Sequence, residues 1–412
     1  MYIIENKGGA VALMLAALFF GGSMGPPMIY MERRGRLPQH IYLDYSIANF
    51  IAAIMFPLTL GQIGDSKPGM PNFFTQLSQV HDNWPSVLIA MAGGLALSLG
   101  NVVSQYAWAF VGLSVTNIVT CSLIVVIGTT MNYFLDGRIN RAEILFPGAA
   151  CFLIAVFLAA AVHSSNAKDK EEKIGTMATN GVDLTNLRMF ICIHDSSMFL
   201  SDSAPGENDA RMDDKASSQP KPGSAEFILE VEKSRSIKVL GSNWLLGLGL
   251  VFFAGLCFSV FSPALNLATN DQLHVLKKGV PHLVVYTAFF YFSVSGLVLG
   301  IGVNIWFLYR PVAGVPASTI GAYLRDWNGR HWALLGGLLC GLCNGLQFMG
   351  GQAAGFASAD AVQAIPLVST FWDVLLFGEY RRSSRKTYIL LTSMLTMFVI
   401  AVAVLLSSAG VL

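Results

Sequence analysis

Long apolar runs dominate the chain, and short polar segments punctuate them. A helix of about 20 residues crosses the hydrocarbon core of a bilayer. Ten runs of that kind are read, at 9–31, 42–62, 84–109, 112–134, 144–163, 244–264, 281–306, 331–351, 355–377 and 387–408. In lipid every backbone N–H and C=O must be bonded within the protein, which leaves helices or closed barrels. The pattern therefore predicts an all-α polytopic membrane protein of ten transmembrane helices.

The pattern stops in the middle. Residues 164–243 hold ten basic and thirteen acidic residues among Ser, Asn and Gly, and such a segment cannot bury a core. It is predicted as a largely disordered loop between a first five-helix half, 1–163, and a second, 244–412. Within it, Met189–Ile193 is too short to span, and Phe227–Leu240 has the basic, amphipathic character of a surface helix. The loop contains no G-x-x-x-x-G-K-[ST] phosphate-binding sequence.

The second half restates the first at a fixed offset of 243 positions. Gly93-Gly94-Leu95, Leu99 and Asn101 return as Gly336-Gly337-Leu338, Leu342 and Asn344. The register continues through Gly112/Gly355, Val119/Val362, Val125/Val368, Phe134/Phe377 and Arg138/Arg381. The two asparagines carry the most weight, because apolar residues match one another cheaply. Two related membrane halves are the usual architecture of a secondary transporter.

Composition sharpens this picture. At 54% hydrophobic and 12% charged residues the chain is unlike an ordinary soluble domain. A net charge of +1 leaves no nucleic-acid footprint. Arg33, Arg34 and Arg36 follow span one, Arg310, Arg325 and Arg330 follow span seven, and Arg381, Arg382, Arg385 and Lys386 follow span nine. The opposite side carries only Lys7, Lys67, Arg138, Arg141, Lys277 and Lys278. The positive-inside rule then places both termini outside and the central loop in the cytoplasm. Five spans per half is an odd number, so the repeats are predicted to be inverted. Ala10–Phe20 behind Lys7 has the look of a signal peptide, but the repeat requires it as a first span. Four-residue glycine ladders at Gly337/Gly341/Gly345 and Gly296/Gly300 predict close helix packing.

Polar side chains within spans supply the candidate chemistry. Asn101, Gln105 and Trp108 lie at i, i+4 and i+7 on span three, and Asn344, Gln347 and Gln352 form a stripe on span eight. Gln363 follows Asp360 by one turn in span nine, and Asn117 is the repeat partner of Asp360. Carboxamides both donate and accept hydrogen bonds, which suits a flat heterocycle with alternating N–H and C=O groups. Trp108 or Tyr106 offers a flat surface for its ring. The bland alternative is that these amides bond helix to helix. Substrate contacts are therefore expected from Asn101, Gln105, Trp108, Asn344, Gln347 and Gln363. Asp360, Asp44 and Asp373 are the candidates for proton coupling, since a carboxylate in a low-dielectric site holds a proton more readily. Asp360 is equally placed to cap its helix. Cys340 and Cys343 form a C-x-x-C in an apolar helix without neighbouring His or acid, read as packing residues. No metal site, cofactor or nucleophile–base pair is read, and no enzyme.

Several longer stretches resemble one family. Glu32-Arg33-Arg34-Gly35-Arg36-Leu37-Pro38-Gln39-His40 and Tyr42-Leu43-Asp44-Tyr45-Ser46 are similar to the ureide permeases of plants, as are Asn83-Trp84-Pro85-Ser86 and Gln105-Tyr106-Ala107-Trp108. Phe261-Ser262-Pro263-Ala264-Leu265-Asn266 and Phe377-Gly378-Glu379-Tyr380-Arg381-Arg382 carry the likeness into the second half. The resemblance implies a drug/metabolite-transporter fold and proton-coupled uptake, across the plasma membrane, of allantoin, uracil and similar oxo derivatives of nitrogen heterocycles. The chain departs from the family's pattern at Met24-Gly25-Pro26, where a Trp-Pro pair is expected, at Asp373, where glycine is expected, and in an insertion at 176–212. Two other readings stay open: a carrier of another small neutral metabolite, and a non-transporting sensor or scaffold that works through the central loop.

Overall fold

The computed structural model describes residues 1–4, 6–64, 66, 70–179, 244–277, 279–376, 380 and 383–410. Ten helices are long and apolar enough to cross a bilayer: Lys7–Glu32, Pro38–Leu58, Val80–Trp108, Val115–Leu135, Ala142–Asp169, Leu245–Asn270, Val285–Tyr309, Arg330–Ala354, Phe356–Leu376 and Arg385–Ser407. They are spans one to ten below. The surface helix expected at Phe227–Leu240, the patch at Met189–Ile193 and most of the 176–212 insertion lie outside the described residues.

Two boundaries differ from expectation for local reasons. Span two begins at Pro38, because proline has no N–H to lose in a first helical turn and its φ suits the helix. The helix of span five continues to Thr179, through residues expected in the central loop. The extension is rich in Ala, Lys and Glu, which favour helix. It is also held, since Asp169 accepts hydrogen bonds from the Ser384 N–H (2.7 Å) and the Thr387 hydroxyl (2.7 Å) at the start of span ten.

Span one packs on span eight as span six packs on spans three and four; span eight packs on span two as span three packs on span seven. Spans two and seven meet each other, and so do spans five and ten. Phe152 and Phe398 form an edge-to-face pair in the five–ten contact. Glycines make the inner contacts possible. A Cβ on Gly94 would overlap the Phe292 carbonyl of span seven, and one on Gly337 would overlap the Tyr45 carbonyl of span two. On the next residue back, Gly93 lies beneath the Phe261 carbonyl and Gly336 beneath that of Met24, each 3.1 Å from where a Cβ would sit. Gly341 and Gly345 extend the ladder along span two, against the Asn49 carbonyl and the Phe56 ring. The equivalent glycines of the two halves thus contact equivalent spans.

Spans three and four are joined at Gly112 (φ 84°) and spans eight and nine at Gly355 (φ 96°), again one repeat apart. A side chain at such a φ meets the neighbouring carbonyl oxygen, so both joints favour glycine. Spans four and nine then lose regularity, with a π-helical turn at Ile124–Gly128 and a 3₁₀ turn at Asp360–Gln363.

Charges gather at one end of the bundle. The Asp44 carboxylate takes Arg36 Nη2 at 2.6 Å, Arg330 Nε at 3.2 Å and the Tyr323 hydroxyl at 2.6 Å. Asp326 takes Arg36 Nε at 3.2 Å and His40 Nδ1 at 2.7 Å, while His40 Nε2 meets the Ser318 hydroxyl at 2.8 Å. Burial pushes the Asp326 carboxyl up, but the hydrogen bonds from His40 and Arg36 and the Arg36 charge outweigh it and hold it below the usual carboxylate range. Its contribution is therefore present at neutral pH and is lost only as pH falls through that lowered value. The cluster ties the span one–two connection to the span seven–eight connection.

Two stability outcomes follow from this packing. Gly94→Ala and Gly337→Ala each force a methyl into a backbone carbonyl and should cost at least about 1–3 kcal/mol. Gly249→Ala, which meets nothing within 4 Å, should be silent in the same thermal melt in detergent. Asp44→Asn leaves Arg36 buried with its main partner gone, a change that typically costs roughly 3–5 kcal/mol. Asp82→Asn, whose pair with His81 is exposed, should leave the melting temperature unchanged.

Candidate functional site

A cavity with about 800 Å³ of empty space, mouth included, lies between spans one, three, four, six, eight and nine. Its walls come in pairs set by the repeat. Leu97 and Cys340, Asn101 and Asn344, Ser104 and Gln347, and Thr120 and Gln363 all line it, each pair 243 positions apart. Gly21 and Met24 of span one face it from one side, Phe258 and Phe261 of span six from the other. Bulk is exchanged between the halves: Gly21 leaves room for Cys343, whereas Gly100 leaves room for the Phe258 ring.

Several polar groups here are unspent. The Ser104 hydroxyl, Trp108 Nε1 and Gln347 Nε2 are buried and have no hydrogen-bond partner in the protein. Asn344 Nδ2 has only the Cys340 sulfur, at 3.4 Å. Thr116 and Thr120 instead bond back to the Gly112 and Thr116 carbonyls of their own helix, at 2.8 Å each. Buried donors without partners cost free energy unless something else occupies them. No Asp, Glu, Lys, Arg or His is among the lining residues. Such a cavity suits a neutral polar ligand with carbonyl acceptors and a flat apolar face, and it offers an ionic group no counter-charge.

The structure distributes the sequence candidates unevenly. Asn101, Trp108, Asn344, Gln347 and Gln363 line the cavity. Gln105 does not. It turns to span seven, where Nε2 donates to Asn304 Oδ1 at 3.3 Å. Gln352 is exposed and borders a shallow space at the N-terminus with Tyr2 and Tyr286. Asp44 belongs to the ion-pair cluster, and Asp373 is buried in span nine away from the cavity lining. Met24, Gly25 and Pro26, where a Trp-Pro pair is expected, line the cavity directly.

Asp360 is fully buried, and its Oδ1 has no hydrogen-bond partner. It reaches across to span four, where Oδ2 accepts from the Thr129 hydroxyl and from Asn132 Nδ2, both at 3.1 Å. Its 3₁₀ turn has Asp360 at one end and the cavity-lining Gln363 at the other.

Sequence reasoning missed Ser104, Thr116, Thr120 and Ser369 as lining residues. The repeat held the signal for two of them, since Ser104 and Thr120 are the counterparts of Gln347 and Gln363. A second, smaller chamber between spans two, three, seven and eight shares Leu97, Asn101 and Asn344 with the first. The asparagine pair therefore stands in the wall between the two spaces.

Comparison with known proteins bears on what passes through such a cavity. The sequence model described as ureide permease matches residues 41–408. Ureide permease 1 of Arabidopsis thaliana is 60% identical over 410 residues, covering 100% of this chain and 99% of the relative. Ureide permease 2 of the same plant is 59% identical over 411 residues, with 100% and 99% covered. Probable ureide permease A3 of Vigna unguiculata is 56% identical over 389 residues, covering 94% of this chain and 100% of the relative. No solved structure matches the chain. With the family model and near-complete relatives in agreement, the chain belongs to the ureide permease family of membrane transporters, which are carriers and not enzymes.

Proposed function

We propose that the protein imports ureides and oxo derivatives of nitrogen heterocycles, such as allantoin, uracil and xanthine-like compounds, across the plasma membrane with protons. The observation that carries this reading is the uncharged cavity, lined by repeat-related amides and holding unspent donors at Ser104, Trp108 and Gln347. Carbonyl oxygens of such a substrate would take these donors, and its N–H groups would face the carboxamide oxygens of Asn101, Asn344 or Gln363. Trp108, Phe258 and Phe261 would hold the ring by its flat faces. Anionic metabolites are disfavoured, because a desolvated anion here would have no cation to meet.

The halves 1–163 and 244–412 are read as inverted five-helix repeats with both termini outside and the central loop cytoplasmic. The paired glycine contacts and the repeat-related cavity walls support the relationship between halves. A cavity between two halves that rock against each other is the usual basis of alternating access. In that scheme the Arg36–Asp44–Arg330 cluster sits at the cytoplasmic end and must open for release. Asp360 is the proton site of this reading, since it is buried beside the cavity on the same turn as Gln363. Asp44 serves the closing cluster, and Asp373, buried in span nine outside the cavity lining, is the remaining candidate for proton coupling.

The test is uptake of labelled allantoin and uracil by cells lacking their own carriers, at two external pH values, with and without a protonophore. Uptake should rise in acid and collapse with the protonophore; absence of uptake by protein shown to be at the surface would overturn the reading. Replacing Gln347 or Asn101 by Leu removes about 1–3 kcal/mol of recognition. Uptake at limiting substrate should then fall roughly 5- to 150-fold at equal surface level. Unchanged uptake would remove that residue from the site.

A further inference from the structure

Behind the cavity, hydrogen bonds between the end of span four and the start of span nine bring Asp360 near a second buried carboxylate, Asp136. Asn132 Nδ2 donates to Asp360 Oδ2 and to the Ser262 hydroxyl, each at 3.1 Å. Asn266 of span six donates to Asn132 Oδ1 at 3.1 Å, and its own Oδ1 accepts from Asn270 Nδ2 at 2.6 Å. Asp136, just past the end of span four, accepts the Ala357 N–H at 3.1 Å in the first turn of span nine. Both carboxylates are buried, and Asp360 Oδ1 has no partner. Asp136 thus holds the backbone three residues before Asp360, while Asn132, which holds Asp360, stands four residues before Asp136.

Among the described residues the surroundings supply no compensating cation. Arg138 lies over the Phe134 ring, Lys7 donates to the Ala409 carbonyl, and Asp271 accepts from the N–H groups of Val275 and Leu276. Among the described residues, Arg141 and Lys277 make no ion pair, and none reaches Asp136 or Asp360. A buried carboxylate bridged only by neutral amides, with one oxygen unsatisfied, is a costly structural device. Two of them together cost more still, because like charges repel. An Asn would serve equally well as a hydrogen-bond acceptor for the Ala357 N–H, so bonding alone does not account for Asp136.

From this geometry we infer that Asp136 and Asp360 form one two-carboxylate proton site, with Asp136 as its outer member. This rests on the proton-coupled reading above and on its orientation, which turns the Asp136 end outward. One proton from the outer solution is bound by the pair and later released inside, and no bond other than O–H forms or breaks. Burial pushes the Asp136 carboxyl up to about 6, against the opposing hydrogen bonds from Ala357, Phe356 and Asn266, so it exchanges protons in the range an acidic exterior samples. The 3₁₀ turn conveys the event to the cavity, because Asp360 begins it and Gln363 ends it. The equivalent stretch of the first half, Asn117 to Thr120, begins with an amide, so only one half carries the titrating group.

The experiment is the external-pH profile of labelled allantoin uptake in Asp136→Asn, Asp136→Glu and Asp360→Asn cells, at matched surface level. Removing the Asp136 charge lowers the proton affinity of its partner. Half-maximal uptake in Asp136→Asn should therefore move to more acid pH, by roughly one unit for a pair coupled this closely. Asp136→Glu should keep the parental midpoint, and Asp360→Asn should lose stimulation by acid. A parental midpoint in Asp136→Asn overturns the inference and leaves the proposed function standing; parental cells without protonophore-sensitive uptake remove both. If Asp136→Asn does not reach the surface, Asp136→Ser removes the same charge with a smaller side chain. A shifted midpoint there supports the pair, and a parental one overturns it.

Discussion

The close approach of span three to span seven, and of span eight to span two, governs the rest of the molecule. Gly94 and Gly337 bring backbone against backbone where any side chain would collide with a carbonyl. In lipid there is no hydrophobic gain from joining two apolar helices, so association depends on fit and on the few polar bonds that proximity allows. Ser98 uses that proximity, donating to the Gly296 carbonyl at 2.9 Å, and Ser295 donates to the Met91 carbonyl at 2.8 Å. Two turns along the same helices, the geometry delivers Asn101 and Asn344 to the wall between the two central spaces.

Charge is handled by exclusion from the centre. The cavity wall is neutral, while ionisable groups are gathered at the bundle's two ends in different chemical forms. One end pairs carboxylates with arginine and histidine, so its acids are compensated and serve cohesion. The other surrounds Asp136 and Asp360 with amides and hydroxyls, which supply hydrogen bonds without neutralising charge. The repeat-related contacts of the two halves thus coexist with a chemical asymmetry between the ends.

Much of the scaffold was legible in the residues. Apolar runs marked all ten spans, and the 243-position register marked the glycines that pack and the two that turn the chain at Gly112 and Gly355. Five of six proposed substrate contacts line one cavity. Gln105 was the exception, although it sits one turn from Asn101 and shared its expected face. Asp360 had two sequence readings, cap or buried acid, and its reach to Thr129 and Asn132 on span four decides between them. Ser104 and Thr120 passed unnoticed because small hydroxyl residues in apolar helices usually bond back to their own backbone, as Thr120 does.

By itself the sequence determined the number of crossings, their order, the positions where helices can touch without side chains, and the supply of amides within the membrane. These follow from composition and spacing, because the bilayer imposes length and hydrogen-bond closure on any chain that crosses it. The tertiary structure alone decided which way each helix is turned about its axis. Lipid and protein interior are equally apolar, so hydrophobic patterning, which orients helices in soluble proteins, leaves that rotation open. Contacts between distant segments close it: Phe292 against Gly94, Tyr45 against Gly337, Arg330 on Asp44, and Asn132 on Asp360. Those rotations turn Gln347 to the cavity, Gln105 to Asn304, and Asp360 to Thr129 and Asn132.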